Sequence, residues 1–166
     1  MAAATDGTEG DAATAYGGRW MSDELVPVAE PLDMVSSEGG LWSCVEDLAR
    51  WAAFWLEKGD DDTHVGVLAH RSRREMRTPR YLGDEEWTQA FGLGWYGVRK
   101  DDVIWVQHGG SLLGFRSSVC VDPKERVGAV ALINGMGLPG ALSMSLGAIA
   151  REAVREAGPV IEPPPA

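Results

Sequence analysis

The chain is poor in the groups that build metal centres and disulfide frameworks, with two cysteines and three histidines among 166 residues. Cys44 and Cys120 lie far apart and fit no C-x-x-C or zinc-ligand spacing, so they are expected as buried free thiols. His64, His70 and His108 form no H-x-x-x-H pair, and Asp60-Asp61-Asp62 lacks the alternating ligands and distal glutamate of a calcium loop. No metal or cofactor is called for. Positive charge is also scarce: the net charge is -10, which argues against nucleic acid and anionic membranes as partners. No run reaches the roughly 18 apolar residues of a membrane-spanning helix. The first twenty residues lack the basic start and apolar centre of a signal peptide, leaving a cytoplasmic location as the default expectation. Tyrosine and phenylalanine number three each against seven tryptophans, so the core is expected to form around indole rings.

What remains is a chain long enough for one domain with a proper core. Residues 1–15, small and acidic, read as a disordered or incomplete start; 16–158 read as the folded part, and 159–166 as a proline-rich tail. Pro27 and Pro31 mark the stretch from Tyr16 to Ser37 as loop or edge structure.

Ser43 and Glu46 have the S-x-x-E spacing of a capping box, and the pattern predicts a helix from about Cys44 to Lys58, stopped by Gly59. Its apolar face is Leu41, Val45, Leu48, Ala52 and Trp55. A shorter helix is expected over about Ala69–Arg77, ended by Thr78-Pro79, with its arginines on a solvated face. From Phe91 the period falls to two. "FGLGWYGV", "VIWVQ", "FRSSVCV" and "VGAVALIN" read as four short strands, the last two joined by a tight turn at Asp122–Arg126. Short connections favour an antiparallel meander. A last helix is expected over about Leu142–Glu156, with Leu142, Leu146, Ile149 and Ala153 as its buried stripe. The fold class is therefore α+β, helices packed on an antiparallel sheet, with nothing before Phe91 obviously flanking the sheet's free edge.

"GGLWSCVEDLARW", "FGLGW", "HGGSLLGFRSSVCVDPKERVGAVALIN" and "ALSMSLGAIAREAV" together resemble, in this order, four blocks of the serine β-lactamase and penicillin-binding-protein superfamily, in its class C-like and esterase-like branch. The resemblance covers about Tyr16 to Glu156 and implies the C-terminal part of a β-lactamase/transpeptidase-like fold. His108-Gly109-Gly110 is similar to the His-x-Gly form of the family's third motif. The resemblance implies that His108 sits near a catalytic tyrosine and that the Ser111 backbone N–H is an oxyanion-hole donor. Gly109, Gly110 and Ser111 would line the substrate, Gly110 allowing its close approach. Outside the family context, His108 reads first as a strand-end histidine satisfied by a backbone carbonyl; the family match with its Gly-Gly-Ser context reverses that preference.

The departures matter as much. None of Lys58, Lys100 and Lys124 follows a serine by three positions, and no tyrosine begins a Tyr-x-Asn or Tyr-x-Ser motif. In this family the nucleophilic serine depends on that lysine to take its proton. The expectation is a β-lactamase-related serine hydrolase acting on a small-molecule ester, amide or β-lactam, represented by its C-terminal portion and inactive alone. The alternatives are a non-catalytic binding module, or one half of a two-chain hydrolase that associates with an N-terminal half, or with itself, through an exposed apolar face. The hydroxyl that family β-lactamases carry at the position of Gly109 is missing, which favours esters or small amides.

Overall fold

Residues 12–18, 22–28, 39–57, 59, 64–65 and 67–158 are described by the computed structural model, so residues 1–11, the triple aspartate and the tail at 159–166 lie outside it. Three tight connections organise the sheet. Asp101 has φ 54° between β7 (Tyr96–Lys100) and β8 (Val103–Leu112). Leu113 and Gly114, at φ 45° and 82°, join β8 to β9 (Phe115–Asp122); two consecutive positive φ values are the signature of the hairpin turn whose twist matches its strands. A glycine is required at 114 also for space, since a Cβ there would lie 2.7 Å from the Tyr16 carbonyl oxygen. The third turn leads to β10 (Val127–Ile133), and in it Asp122 Oδ1 accepts the Lys124 and Glu125 amides.

The result is a six-stranded antiparallel meander in the order β10-β9-β8-β7-β6-β5, where β5 is Tyr81–Leu82 and β6 is Gln89–Phe91. Strands before Phe91 therefore do extend the sheet. They are only two and three residues long, too short to stand out as alternation. "FGLGW" is not one strand either: Phe91 ends β6 and Tyr96 begins β7, with a turn closed by the Gly92 N–H on the Trp95 carbonyl (2.8 Å). Gly94, at φ 74°, takes the chain through that turn.

Two small hairpins lie outside the main sheet. One is β1 (Tyr16–Gly18) with β2 (Leu25–Pro27), and the other is β3 (His64–Val65) with β4 (Leu68–Ala69). The Tyr16 amide donates to the Asn134 carbonyl, and the Asn134 side-chain amide to the Thr14 carbonyl, fastening this start to the end of β10.

Helices cover both faces. Along β8, Trp105 and Val106 point to opposite sides. Val106 joins Val119, Val121 and Trp95 under α1 (Val45–Leu56), where Trp55 meets Trp95 edge to face at 5.0 Å. Trp105 joins Cys120 and Val127 under α3 (Pro139–Ala157). The core is thus built on Trp55, Trp95 and Trp105, whereas Trp42, Trp51 and Trp87 keep substantial surface.

The helix faces depart from the simple periodicity. On α3 the residues that turn inward are Ser143 and Gly147, while Leu142, Leu146 and Ile149 remain 46, 42 and 67 % exposed. Space decides this. Trp105 fills the gap between helix and sheet, and even a Cβ on Gly147 would lie 2.8 Å from its ring. Beneath the helix Ser118 and Ser143 share a hydroxyl hydrogen bond (2.8 Å), and the Cys120 thiol donates to the Ser143 carbonyl. Burial raises the Cys120 pKa, outweighing the lowering effect of the Ser143 side chain and the Ala129 backbone. Cys44, expected to be buried, is exposed, and both thiols are free.

On α1 the expected capping box does not form. The N-cap is Cys44, one residue later, without a side-chain cap; the Ser43 hydroxyl turns to the Cys44 carbonyl instead. Leu41 and Val45 are exposed as well, because packing begins only at Leu48, Ala52 and Trp55. The far end is held by long-range partners. Arg73 donates to the Phe54 carbonyl, Arg77 to that of Trp55 and Arg126 to that of Leu56, satisfying three successive orphan acceptors. Arg73 is 1 % exposed, with Glu57 beside it and the Phe54 ring beneath its guanidinium. So the arginines of α2 (His70–Arg77) are divided: Arg71 and Arg74 are exposed, and Arg73 and Arg77 dock against α1. Burial, with the neighbouring charges of Arg73 and Arg74, lowers the Arg77 pKa.

Candidate active site

β8 is longer than the strand expected from "VIWVQ", running on through His108-Gly109-Gly110-Ser111 to Leu112. β7 does not keep pace with it. The last β7–β8 pair is Tyr96 with Gln107, whereas β9 pairs with β8 as far as Leu112. From His108 onward β8 therefore has a strand on one side and an open edge on the other among the described residues. All four of His108, Gly109, Gly110 and Ser111 are exposed.

Hairpin geometry gives the direction of the main-chain groups. Leu112 and Phe115 flank a two-residue connection, so they form a hydrogen-bonded pair, and in an antiparallel ladder such pairs recur at every second residue. Gly110 and His108 share that phase and turn their N–H and C=O to β9. Gly109 and Ser111 have the opposite phase. Their N–H and C=O groups are directed to the open edge, the side on which Gln107 bonds Tyr96.

At the corner of this edge the His108 imidazole stacks on the Tyr96 ring, centroids 4.9 Å apart and planes 14° from parallel. Tyr96 in turn meets Phe91 edge to face at 5.2 Å. Three half-exposed rings thus stand in a row beside the edge. No hydrogen bond to the His108 imidazole occurs among the described residues, so the backbone-satisfied strand-end reading finds no partner here. Nor do the serines of β9 form a relay with it: Ser118 is buried against Ser143, and Ser117 lies behind Gly110, whose Cβ would come within 3.0 Å of its hydroxyl. The two glycines have an internal cause as well, since a Cβ on Gly109 would sit 3.1 Å from the Ser117 carbonyl oxygen.

Sequence reasoning singled out His108, Gly109, Gly110 and Ser111, which the fold places consecutively on one exposed strand. It passed over Tyr96 and Phe91. A signal for Tyr96 was present: folding "YGVRKDDVIWVQH" about Asp101-Asp102 sets Tyr96 opposite Gln107, next to His108. Among the described residues no group of three or more His, Cys, Asp or Glu side chains gathers to hold a metal ion, and no helix is long and apolar enough to cross a membrane.

The family model described as Beta-lactamase matches residues 2–152. Among solved structures, the fold is similar to the octameric penicillin-binding protein homologue from Pyrococcus abyssi, with a TM-score of 0.70 and 22 % identity over 86 % of this chain. The chain spans 32 % of that protein's length. No curated protein matches the sequence.

Proposed function

The chain belongs to the beta-lactamase family, and from that premise we propose that its open β8 edge is one wall of a serine-hydrolase acyl-transfer site for a small-molecule ester or amide. The observation that carries this reading is the phase of β8. It turns the Ser111 N–H outward at a place where no strand among the described residues consumes it, with His108 and Tyr96 at the rim.

In acyl transfer a nucleophilic oxygen adds to the substrate carbonyl, and the carbonyl oxygen becomes an oxyanion. A fixed N–H aimed at that oxygen stabilises charge that exists only in the transition state, and removing one such donor costs about 2.7–4 kcal/mol in barrier. Ser111 supplies such a donor. Gly109 presents no side-chain hydroxyl to a substrate carboxylate, which favours an ester or small amide over a β-lactam. The nucleophile and its base are the parts this sequence lacks, for it has no Ser-x-x-Lys and no Tyr-x-Asn. On this reading the 166 residues form one wall of a hydrolase site whose attacking group lies outside them, and they are inactive alone.

The test is to incubate the purified chain with a fluorophosphonate and with a fluorescent penicillin, then map any adduct by mass spectrometry. No labelled serine is expected. An adduct on Ser111, Ser117 or Ser118 would show that the chain carries its own nucleophile and would overturn the proposal. Sequencing the coding DNA upstream of Met1 is the complementary measurement, with an in-frame Ser-x-x-Lys followed by Tyr-x-Asn as the expected result.

A further inference from the structure

The β8–β9 ladder ends at Val106–Val121, although β8 begins earlier, at Val103. The cause lies within the sheet. Ile104 has the phase of Val106, so its N–H and C=O turn to the β9 side, where the residue due to face it is Pro123. Proline brings no N–H to the Ile104 carbonyl, and no backbone hydrogen bond joins the two among the described residues. The strands separate there and leave a cavity of about 360 Å³. Four parts of this chain wall it: the end of α2 with Thr78 and Pro79, the start of β8, the turn at Pro123-Lys124, and α3 through Arg151. Its volume falls in the range of small-ligand sites, roughly 300–1,000 Å³.

Charge selects the occupant. Arg74, Arg77, Lys124 and Arg151 line the cavity against Asp102 and Asp122. Asp122 is already engaged, with Oδ1 on the Lys124 and Glu125 amides and Oδ2 on Arg151, which also meets Glu125. Arg77 donates to the carbonyls of Arg73 and Trp55, and neither it nor Lys124 has a carboxylate partner among the described residues. Burial, followed by the like charges of Arg73 and Arg74, lowers the Arg77 pKa, and an anion in the cavity would relieve that crowding. Pro79, Ile104 and Val106 give the same cavity an apolar part.

We propose that this cavity binds a small organic anion, an oxyanion head group on a compact apolar body, with Arg77 and Lys124 meeting the charge and the Ile104 N–H donating to it. The site lies roughly 23 Å along β8 from Ser111, at about 3.3 Å per residue, and is independent of the hydrolase reading.

Phenyl phosphate, benzoate and benzyl alcohol, titrated separately into the isotope-labelled chain, test it through the backbone amide resonances. At least one of the two anions should shift the Ile104 and Lys124 amides saturably, their ranking identifying the head group, while the neutral alcohol should not. Lys124 bonds Asp122 through its amide and not its side chain, so Lys124→Glu should keep the circular dichroism and weaken binding by about tenfold or more. Lys124→Gln should weaken it by a smaller factor and serves as the second variant. The proposal is overturned if neither anion gives a saturable shift at millimolar concentration, if benzyl alcohol binds equally well, if the shifts centre on His108–Ser111, or if both Lys124 variants bind as the parent chain does.

Discussion

The His108 imidazole lies flat against the Tyr96 ring, 4.9 Å between centroids, at the point where β7 stops and the edge of β8 opens. The stack fixes the orientation of the imidazole without a hydrogen bond. Tyr96→Leu is expected to move the His108 ring-proton resonances downfield as ring-current shielding is lost. Stability should fall by only about 0.5–1.5 kcal/mol, the usual worth of such a pair. Unchanged His108 resonances would mean that the rings do not stack in solution.

The phase assigned to β8 has a direct mutational check. Proline has no N–H, so Ser111→Pro removes a donor that faces the open edge and should leave urea unfolding nearly unaltered. Gly110→Pro removes a donor turned to β9, and should cost about 1–3 kcal/mol by leaving its acceptor unsatisfied, before any steric conflict with Ser117. The reverse ranking would place the Ser111 amide in the ladder and remove it from the proposed site.

Gly147 sets two effects against each other. Alanine for glycine within a helix gains up to about 1 kcal/mol of propensity. Here the added methyl would lie 2.8 Å from the Trp105 ring and 3.2 Å from the Cys120 sulfur, and overpacking costs about 1–3 kcal/mol. Gly147→Ala should therefore lower the denaturation midpoint. Gly140→Ala, with nothing within 4 Å, should not.

The arginine cap of α1 predicts unequal costs for residues of one type. Arg73→Ala removes a buried charge-assisted bond to the Phe54 carbonyl and should destabilise the chain by about 1.5–3 kcal/mol, with the vacated space adding to it. Arg50 forms an exposed pair with Asp47 one turn away, and Arg50→Ala should change stability by about 0.5 kcal/mol or less. Chemical denaturation of the two variants checks the contrast.

Asp84 closes the β5–β6 hairpin by accepting the Thr88 hydroxyl and the Thr88 and Gln89 amides. The Thr88 hydroxyl is the largest of several hydrogen bonds that hold the carboxyl below its ordinary pKa. A depressed folded-state pKa means the contribution is full above the unfolded value, about 3.9, and is lost as pH falls through the lower folded value. The carbon-13 titration of the Asp84 carboxyl should have its midpoint below that of an unperturbed aspartate, and Thr88→Ala should raise it.

Much of this molecule was determined locally. The alternation of "FRSSVCV" and "VGAVALI", with the aspartate turn between them, is enough to specify β9, β10 and their pairing, because side-chain period and turn chemistry act over a few residues. The same holds for the placement of His108, Gly109, Gly110 and Ser111 together, since they are neighbours on one strand. The α1 and α3 segments were legible as helices; the α1 face was legible from Leu48 through Ala52 and Trp55, whereas the α3 face was not. Leu142 and Leu146 have the right period to be core, yet Ser143 and Gly147 turn inward because Trp105, brought from a distant strand, leaves room only for small side chains. Arg73, Arg77 and Arg126 likewise became the cap of α1 only when the fold brought its unsatisfied carbonyls within their reach. Which residues exist at the site is thus a property of the sequence. That no described strand pairs with β8 beyond Gln107, with Tyr96 beside His108, depends on where β7 ends, and only the assembled sheet decides that.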